Sequence, residues 1–174
     1  TGGPIAAAWA VMNFLGMEGY CDISRKTMAT TQRFVEGISA IDGLEVIGNP
    51  EVSLFSFTTS KGNPYDLCDE LNQRGWFVQF QLSNDYCPAN LHLTVSKIHE
   101  GQVEDFLKDL AESHDKVQQK GMMKKAAEKV TIETVKKLAQ NLSPENFEKL
   151  GKLLGFSNGK VPEKLALINR IMDV

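Results

Sequence analysis

The sequence predicts an α+β fold: a small, mostly antiparallel sheet covered by helices, followed by a helical tail. Three observations carry that expectation. Apolar residues recur at helical spacing in several long stretches, short runs rich in β-branched and aromatic residues fall between them, and Gly, Asn and Pro punctuate the joins. The resulting order is helix, strand, strand, helix, strand, strand, helix, which reads as one sheet backed by helices.

Residues 4–17 (PIAAAWAVMNFLGM) open the chain as a helix, with Pro4 suited to a first turn. Apolar residues surround its axis, so it is expected to be buried on most faces, in a core or at a subunit interface. From Glu18 to Ile41 the pattern turns amphipathic, with Ile23, Met28, Thr31, Phe34, Val35 and Ile38 recurring every three to five residues. Gly43 is placed to stop that helix. Strands at 44–47 and 52–57 follow, joined by Gly48-Asn49-Pro50. Alternation puts Val52, Leu54 and Ser56 on one face of the second strand and Phe55 and Phe57 on the other, so both faces are expected to be covered.

Asn63-Pro64 supplies an N-cap and a first-turn proline for a helix carrying Tyr65, Leu67, Cys68 and Leu71 and ending at Gly75. Residues 76–80 and 91–95 read as the third and fourth strands, linked by a loop at 83–90. A helix from about residue 100 to 118 closes the unit, with Val103, Phe106, Leu107 and Leu110 on its inner stripe. Gln119-Lys120-Gly121 is the expected linker. Beyond it, Val135, Leu138, Ala139 and Leu142 form a stripe, and Ser143-Pro144-Glu145 opens a helix carrying Phe147, Leu150, Leu153 and Leu154 that stops at Gly155. A last short helix holds Leu165, Ile168 and Ile171. The expected domains are an interface helix at 1–17, an α+β small domain at 18–118 and a helical tail at 119–174.

The 174 residues are 42% hydrophobic and 24% charged, with a mean hydropathy of -0.23, the profile of one globular domain with a real core. That excludes a disordered chain, a collagen and a disulfide scaffold. No apolar run approaches the ~20 residues that span a bilayer. No signal peptide is visible, and Thr1 reads as an internal start, so the chain is expected to be a piece of something larger. Cys21, Cys68 and Cys87 are odd in number and match no metal or disulfide spacing, which points to a reducing compartment. The net charge of -3 conceals an asymmetry: 7 basic and 15 acidic side chains in residues 1–114, against 12 and 7 in residues 115–174. A basic tail on an acidic body docks on that body, on another subunit or on a polyanion.

Few residues in this sequence carry chemistry by themselves. Three cysteines coexist with His92, His99 and His114, but no local motif joins a thiol to an imidazole, and Cys68 sits on an inner helical stripe as a small core residue. His92 and His99 have no Cys or carboxylate at ligand spacing, so no metal site is expected. Thr1-Gly2-Gly3 directly precedes a helix, where glycines let an anion approach free N–H groups; a simple turn is the plainer reading. The basic tail lacks the aromatic–basic interleaving of a nucleic-acid surface, so no nucleic-acid partner is expected.

The stretches GGPIAAAWA, GNPEVSLFSF, YDLCDELNQRGW and LHLTVSKIHEGQVEDFLKDL, in that order, resemble the C-terminal part of the group II pyridoxal-phosphate-dependent decarboxylase family of fold type I, its sphingosine-phosphate lyase branch most nearly. The resemblance covers about residues 1–118. It implies the small domain of a dimeric carbon–carbon lyase or carboxy-lyase, packed on a large domain that holds pyridoxal 5'-phosphate on a lysine. That lysine is expected to lie upstream, leaving this chain alone inactive and with no catalytic residue of its own. Thr1, Gly2 and Gly3 would then be what remains of a loop that approaches the cofactor phosphate of the neighbouring subunit. His92 falls where the lyases have a strand histidine, and Tyr86 precedes it as the nearest aromatic hydroxyl; both become candidates for contact with a small amine or amino-acid substrate. For His92 a buried strand histidine, and for Tyr86 a surface loop tyrosine, are the alternatives. The segment Gly121-Met122-Met123-Lys124-Lys125 lacks the tyrosine the lyases carry there, so an amino-acid decarboxylase stays open. The resemblance places the protein in the cytoplasm or on the cytoplasmic side of a membrane, any anchor lying outside this chain. From another class, a non-catalytic α+β interaction module with a helical tail also fits; it expects Ile5, Trp9 and Phe14 to be buried internally.

Overall fold

The computed structural model describes residues 1–139, 143–156, 162 and 165–173. Its elements run α1 (Gly2–Ser39), β1 (Leu44–Ile47), β2 (Leu54–Thr59), α2 (Pro64–Gln73), β3 (Gln79–Gln81), β4 (Asn90–Thr94), a 3-10 turn (Lys97–His99), α3 (Val103–Ala139), α4 (Pro144–Leu153) and α5 (Ala166–Met172). The strands form one antiparallel sheet in the order β1-β2-β4-β3, so the expected α+β architecture is what the chain adopts. Among the described residues no helix is long and apolar enough to cross a membrane.

The core fills one face of the sheet. Phe55 and Phe57 of β2 and Leu91 of β4 point into it, met by Phe34 and Ile38 from α1, Leu67 and Leu71 from α2, and Val103, Phe106 and Leu110 from α3. Here the expectation of a sheet covered on both faces is corrected. β2 begins two residues later than alternation suggested, because a six-residue connection precedes its pairing with β1, and Leu54 and Val52 stay exposed. Burying two phenylalanine rings removes more apolar area from water than burying Val52 and Leu54, which fixes the register.

α1 is broken inside. Gly16 adopts φ 59° and ψ -176°, a conformation open essentially to glycine alone, so the helix is two segments meeting at an angle. The second segment packs Thr30, Thr31, Phe34 and Ile38 inward, and Gly37 lets it approach α3 closely: a Cβ there would meet Leu107 Cδ1 at 2.2 Å. The first segment buries nothing. Ile5 is 74% exposed, Trp9 65% and Phe14 89%, so burial in a core of this chain is ruled out for residues 4–17.

α2 starts as expected, Asn63 Oδ1 accepting from the Tyr65 N–H at 2.9 Å. It ends in a Schellman motif at Gly75 (φ 91°), with Trp76 N–H donating to Leu71 O and Gly75 N–H to Asn72 O, both at 3.0 Å. That cap uses up the start of the expected third strand. Trp76 is drawn aside, its Nε1–H donating to Asp109 at 2.7 Å and its ring edge-on to Phe106, so β3 shrinks to three residues.

α3 is helical straight through Gln119-Lys120-Gly121, where a linker was expected. Val135 is buried, whereas Leu142 lies outside the described residues, as do the side chains of Leu138, Ala139 and Phe147. α4 opens with Ser143 accepting from the Asn146 N–H at 3.2 Å, and α5 packs against α2.

Candidate functional site

Because Leu91 and Leu93 face the core, His92 between them faces out, on the open side of the sheet. The register sets it in a row: Ile47 beside Ser56, Ser56 beside His92, His92 beside Gln79. His92 Nε2 lies 2.7 Å from Gln79 Oε1. The amide oxygen can only accept, so Nε2 carries the proton and Nδ1 is left as an acceptor. His92 is half-buried, neither the sealed core histidine of the plainer reading nor a free surface group.

Where β3 has yet to join β4, a cavity of about 420 Å³ opens beside His92. Phe34, Phe106, Trp76, Val78 and Val95 line it, together with His92 and His99. The aromatic rings meet edge to face, Phe34 and Phe106 at 5.4 Å and Trp76 and Phe106 at 5.2 Å. His99 is oriented by its own turn: Nδ1 accepts from the Ser96 N–H at 2.9 Å, which leaves the proton on Nε2. One imidazole thus has an acceptor nitrogen and the other a donor nitrogen, and both residues line a largely apolar cavity, the composition of a site that can orient a polar ligand.

Gln79 and Ser56 were missed by sequence reasoning, and His99 was weighed only as a metal ligand or a thiol's partner. The first two are neighbours only through register, which no local pattern encodes; the third had a legible signal in the Ser96-to-His99 capping spacing.

The remaining candidates stand apart from His92. Tyr86 sits at the tip of the β3–β4 loop with 97% of its surface exposed, at the opposite end of the β3–β4 ladder from the cavity. Thr1, Gly2 and Gly3 begin α1: Thr1 occupies the N-cap without a side-chain hydrogen bond, and a Cβ on either glycine would meet nothing within 4 Å. Nothing among the described residues therefore demands glycine at those two positions.

Cys68 is the core residue it was expected to be. Its thiol donates to Val78 O at 3.2 Å, and burial pushes its pKa up to about 11, far from a nucleophile's range. Cys87 accepts from Asn90 Nδ2 at 3.4 Å. Among the described residues no three His, Cys, Asp or Glu side chains are grouped to hold a metal ion.

No family model matches the chain. Curated relatives do. A sphingosine-1-phosphate lyase of Oryza sativa is 35% identical over 116 residues, 67% of this chain and 21% of the relative. A probable L-tyrosine/L-aspartate decarboxylase of Methanothermobacter thermautotrophicus is 32% identical over 111 residues, 63% of this chain and 29% of the relative. Among solved structures, a sphingosine-1-phosphate lyase of Burkholderia pseudomallei superposes with a TM-score of 0.62 and 28% identity, over 82% of this chain and 30% of that one. A glutamate decarboxylase of Lactobacillus brevis shares the fold, with a TM-score of 0.58 at 20% identity over 64% of this chain and 27% of that one. The chain thus spans between about a fifth and three tenths of the length of the proteins it matches.

Proposed function

Since about two thirds of this chain is homologous to sphingosine-1-phosphate lyases and group II amino-acid decarboxylases, enzymes of a pyridoxal-phosphate-dependent family, we propose that it is the small domain of such a lyase, cleaving a carbon–carbon or carbon–carboxylate bond in an amine or amino acid. In this reading the division is an interface helix at 1–17, a small domain at 18–118 and a helical tail at 119–174. The lysine that holds the cofactor belongs to a large domain outside the chain, and the enzyme is a homodimer in the cytoplasm or on the cytoplasmic side of a membrane. The exposed arm of α1 carries the domain assignment. Ile5, Trp9, Phe14 and Met17 are all at least 65% exposed on one short helical arm, and a large domain or second subunit is what would cover them. The same exposure counts against the non-catalytic module, which needs those side chains buried internally.

Pyridoxal phosphate, when bound, supplies the electron sink that stabilises the carbanion left as a bond at the substrate's Cα breaks. The start of α1 fits its phosphate: the first-turn N–H groups have no capping side chain, and the space around Gly2 and Gly3 is open to a group arriving from outside the chain. Thr1, Gly2 and Gly3 would hold that phosphate across the subunit boundary. His92 would orient the substrate, its Nδ1 accepting from a substrate N–H or O–H while Gln79 fixes the ring. The aromatic recess beside it excludes water from the apolar part of the substrate. Tyr86, at the other end of the short β3–β4 ladder, would meet a part of the substrate remote from the recess.

The test is cofactor binding by the full-length protein. The visible absorbance of bound pyridoxal phosphate is expected, and replacing Gly2 and Gly3 by Glu should weaken cofactor binding at least tenfold while leaving helix content unchanged. A full-length protein that never acquires that absorbance would sink the proposal.

A further inference from the structure

The C-terminal helix α5 is fastened to the body at three points. At its start, the buried carboxylate of Asp69 on α2 accepts from the Leu165 N–H at 3.1 Å and the Ala166 N–H at 2.9 Å, capping the helix with a side chain 96 residues away in sequence. In its middle, Arg170 pairs with Asp66, also on α2. At its end, Asp173 Oδ1 accepts from the Ser83 N–H. Ala166 and Asn169 are buried by this docking. A helix held at its start and middle cannot slide, so the position of Asp173 is set by α2.

Ser83 is where the chain has just left β3, and Tyr86 stands at the tip of the loop it begins. That loop is built to be rigid. Asn84 Oδ1 accepts from the Tyr86 and Cys87 N–H groups at 2.9 and 3.1 Å. On the far side, Asn90 Nδ2 donates to Pro88 O at 2.9 Å, and Thr58 Oγ1 donates to Ala89 O at 2.7 Å, tying the return to β2. On the near side, the bond from Ser83 to Asp173 is the matching anchor. The Asp173 carboxylate is also near the hydroxyl of buried Tyr65, whose pKa is pushed well above the ordinary phenol value by burial first and by that carboxylate second.

We propose that Asp173, held in place by Asp69 and Arg170, is a positioning residue that fixes the Tyr86 loop, so that the tail is part of the substrate site's foundation rather than an appendage. This rests on the reading of Tyr86 as a substrate-contacting residue. The mechanism needs only an acceptor oxygen at Asp173. Asparagine keeps one and alanine does not.

The experiment is hydrogen–deuterium exchange on the full-length, cofactor-loaded protein in three forms: unaltered, Asp173→Asn and Asp173→Ala. Losing a charge-assisted hydrogen bond should speed exchange across residues 83–90 roughly tenfold in Asp173→Ala, with Asp173→Asn much closer to the unaltered protein. Exchange in α2, read in the same spectra, reports whether the helix has come undone. Steady-state kinetics follow on whichever of sphingosine 1-phosphate, L-tyrosine and L-aspartate the enzyme turns over. KM should rise several-fold in Asp173→Ala with a much smaller change in kcat, and Asp173→Asn should restore it. Unchanged exchange at 83–90 in Asp173→Ala overturns the proposal. Faster exchange with an unchanged KM upholds the link from α5 to the loop and overturns the assignment of Tyr86 to the substrate.

Discussion

Residues 2–15 and 17–39 are two segments of one helical run, yet they meet opposite surroundings. The first is apolar on every side and buries nothing in this chain; the second is apolar along one stripe and buries that stripe against the sheet and α3. A stripe encodes both that a face is covered and which face it is. An all-round apolar segment encodes only that it must be covered, and leaves the covering partner to whatever chain supplies it. Gly16 separates the two regimes.

The largest effect should come from removing the arm's apolarity in the full-length protein. Burying a large apolar side chain is worth about 1.5–3 kcal/mol, so Trp9→Glu with Phe14→Glu should abolish the proposed dimer in analytical ultracentrifugation. Circular dichroism of the body should be unchanged. A dimer that survives both substitutions would return the arm to the status of an ordinary exposed helix. Next in size, Phe57→Ala empties the centre of the body's core and should cost about 3–5 kcal/mol in chemical denaturation without altering the dimer, the reverse pattern. Gly16→Ala acts on the junction. Its backbone conformation disfavours any Cβ by about 1–3 kcal/mol; the expected result is a straighter helix and an arm displaced from its partner, seen as weaker dimerisation with body stability retained.

The smallest effect is one of pH. His114 is buried in the body, its Nε2 2.8 Å from Thr59 Oγ1 and its Nδ1 accepting from Gln118 at 3.0 Å. Burial chiefly, with Lys61 nearby, holds its pKa below the ordinary 6.5 against the opposing pull of Asp115 and Asp42. The unfolded chain therefore binds a proton that the folded one refuses. Stability contributed by neutral His114 is complete above pH 6.5 and is lost as pH falls from there toward the lower folded-state value. Denaturation midpoints measured on either side of that window should differ for the unaltered body, and His114→Gln should flatten the difference.

Much of the body was legible because its signals are local. Asn63-Pro64 starts α2, Gly75 ends it, and the stripe from Val103 to Leu110 lies on the core as its spacing indicates. What escaped was set by tertiary competition. Phe55 and Phe57 outweighed Val52 and Leu54 for the covered face, and the Schellman turn took Trp76 away from the strand that its composition suggested. The candidate site shows the same division. His92 was visible as a histidine in a strand, but its partner Gln79 is assigned only by the pairing of β3 with β4, and the recess beside it exists because β3 starts late.

That late start also bears on how the isolated chain would fail. β3 forms one rim of the sheet, three residues with Gln79 and Gln81 exposed along it, and β1 forms the other, four residues with Glu45 exposed. Rims so brief give an incoming strand little to zip against. Material lacking its covering partner should therefore associate chiefly through the arm, as amorphous clusters that mild detergent disperses and that do not bind thioflavin, rather than as fibrils growing from the sheet.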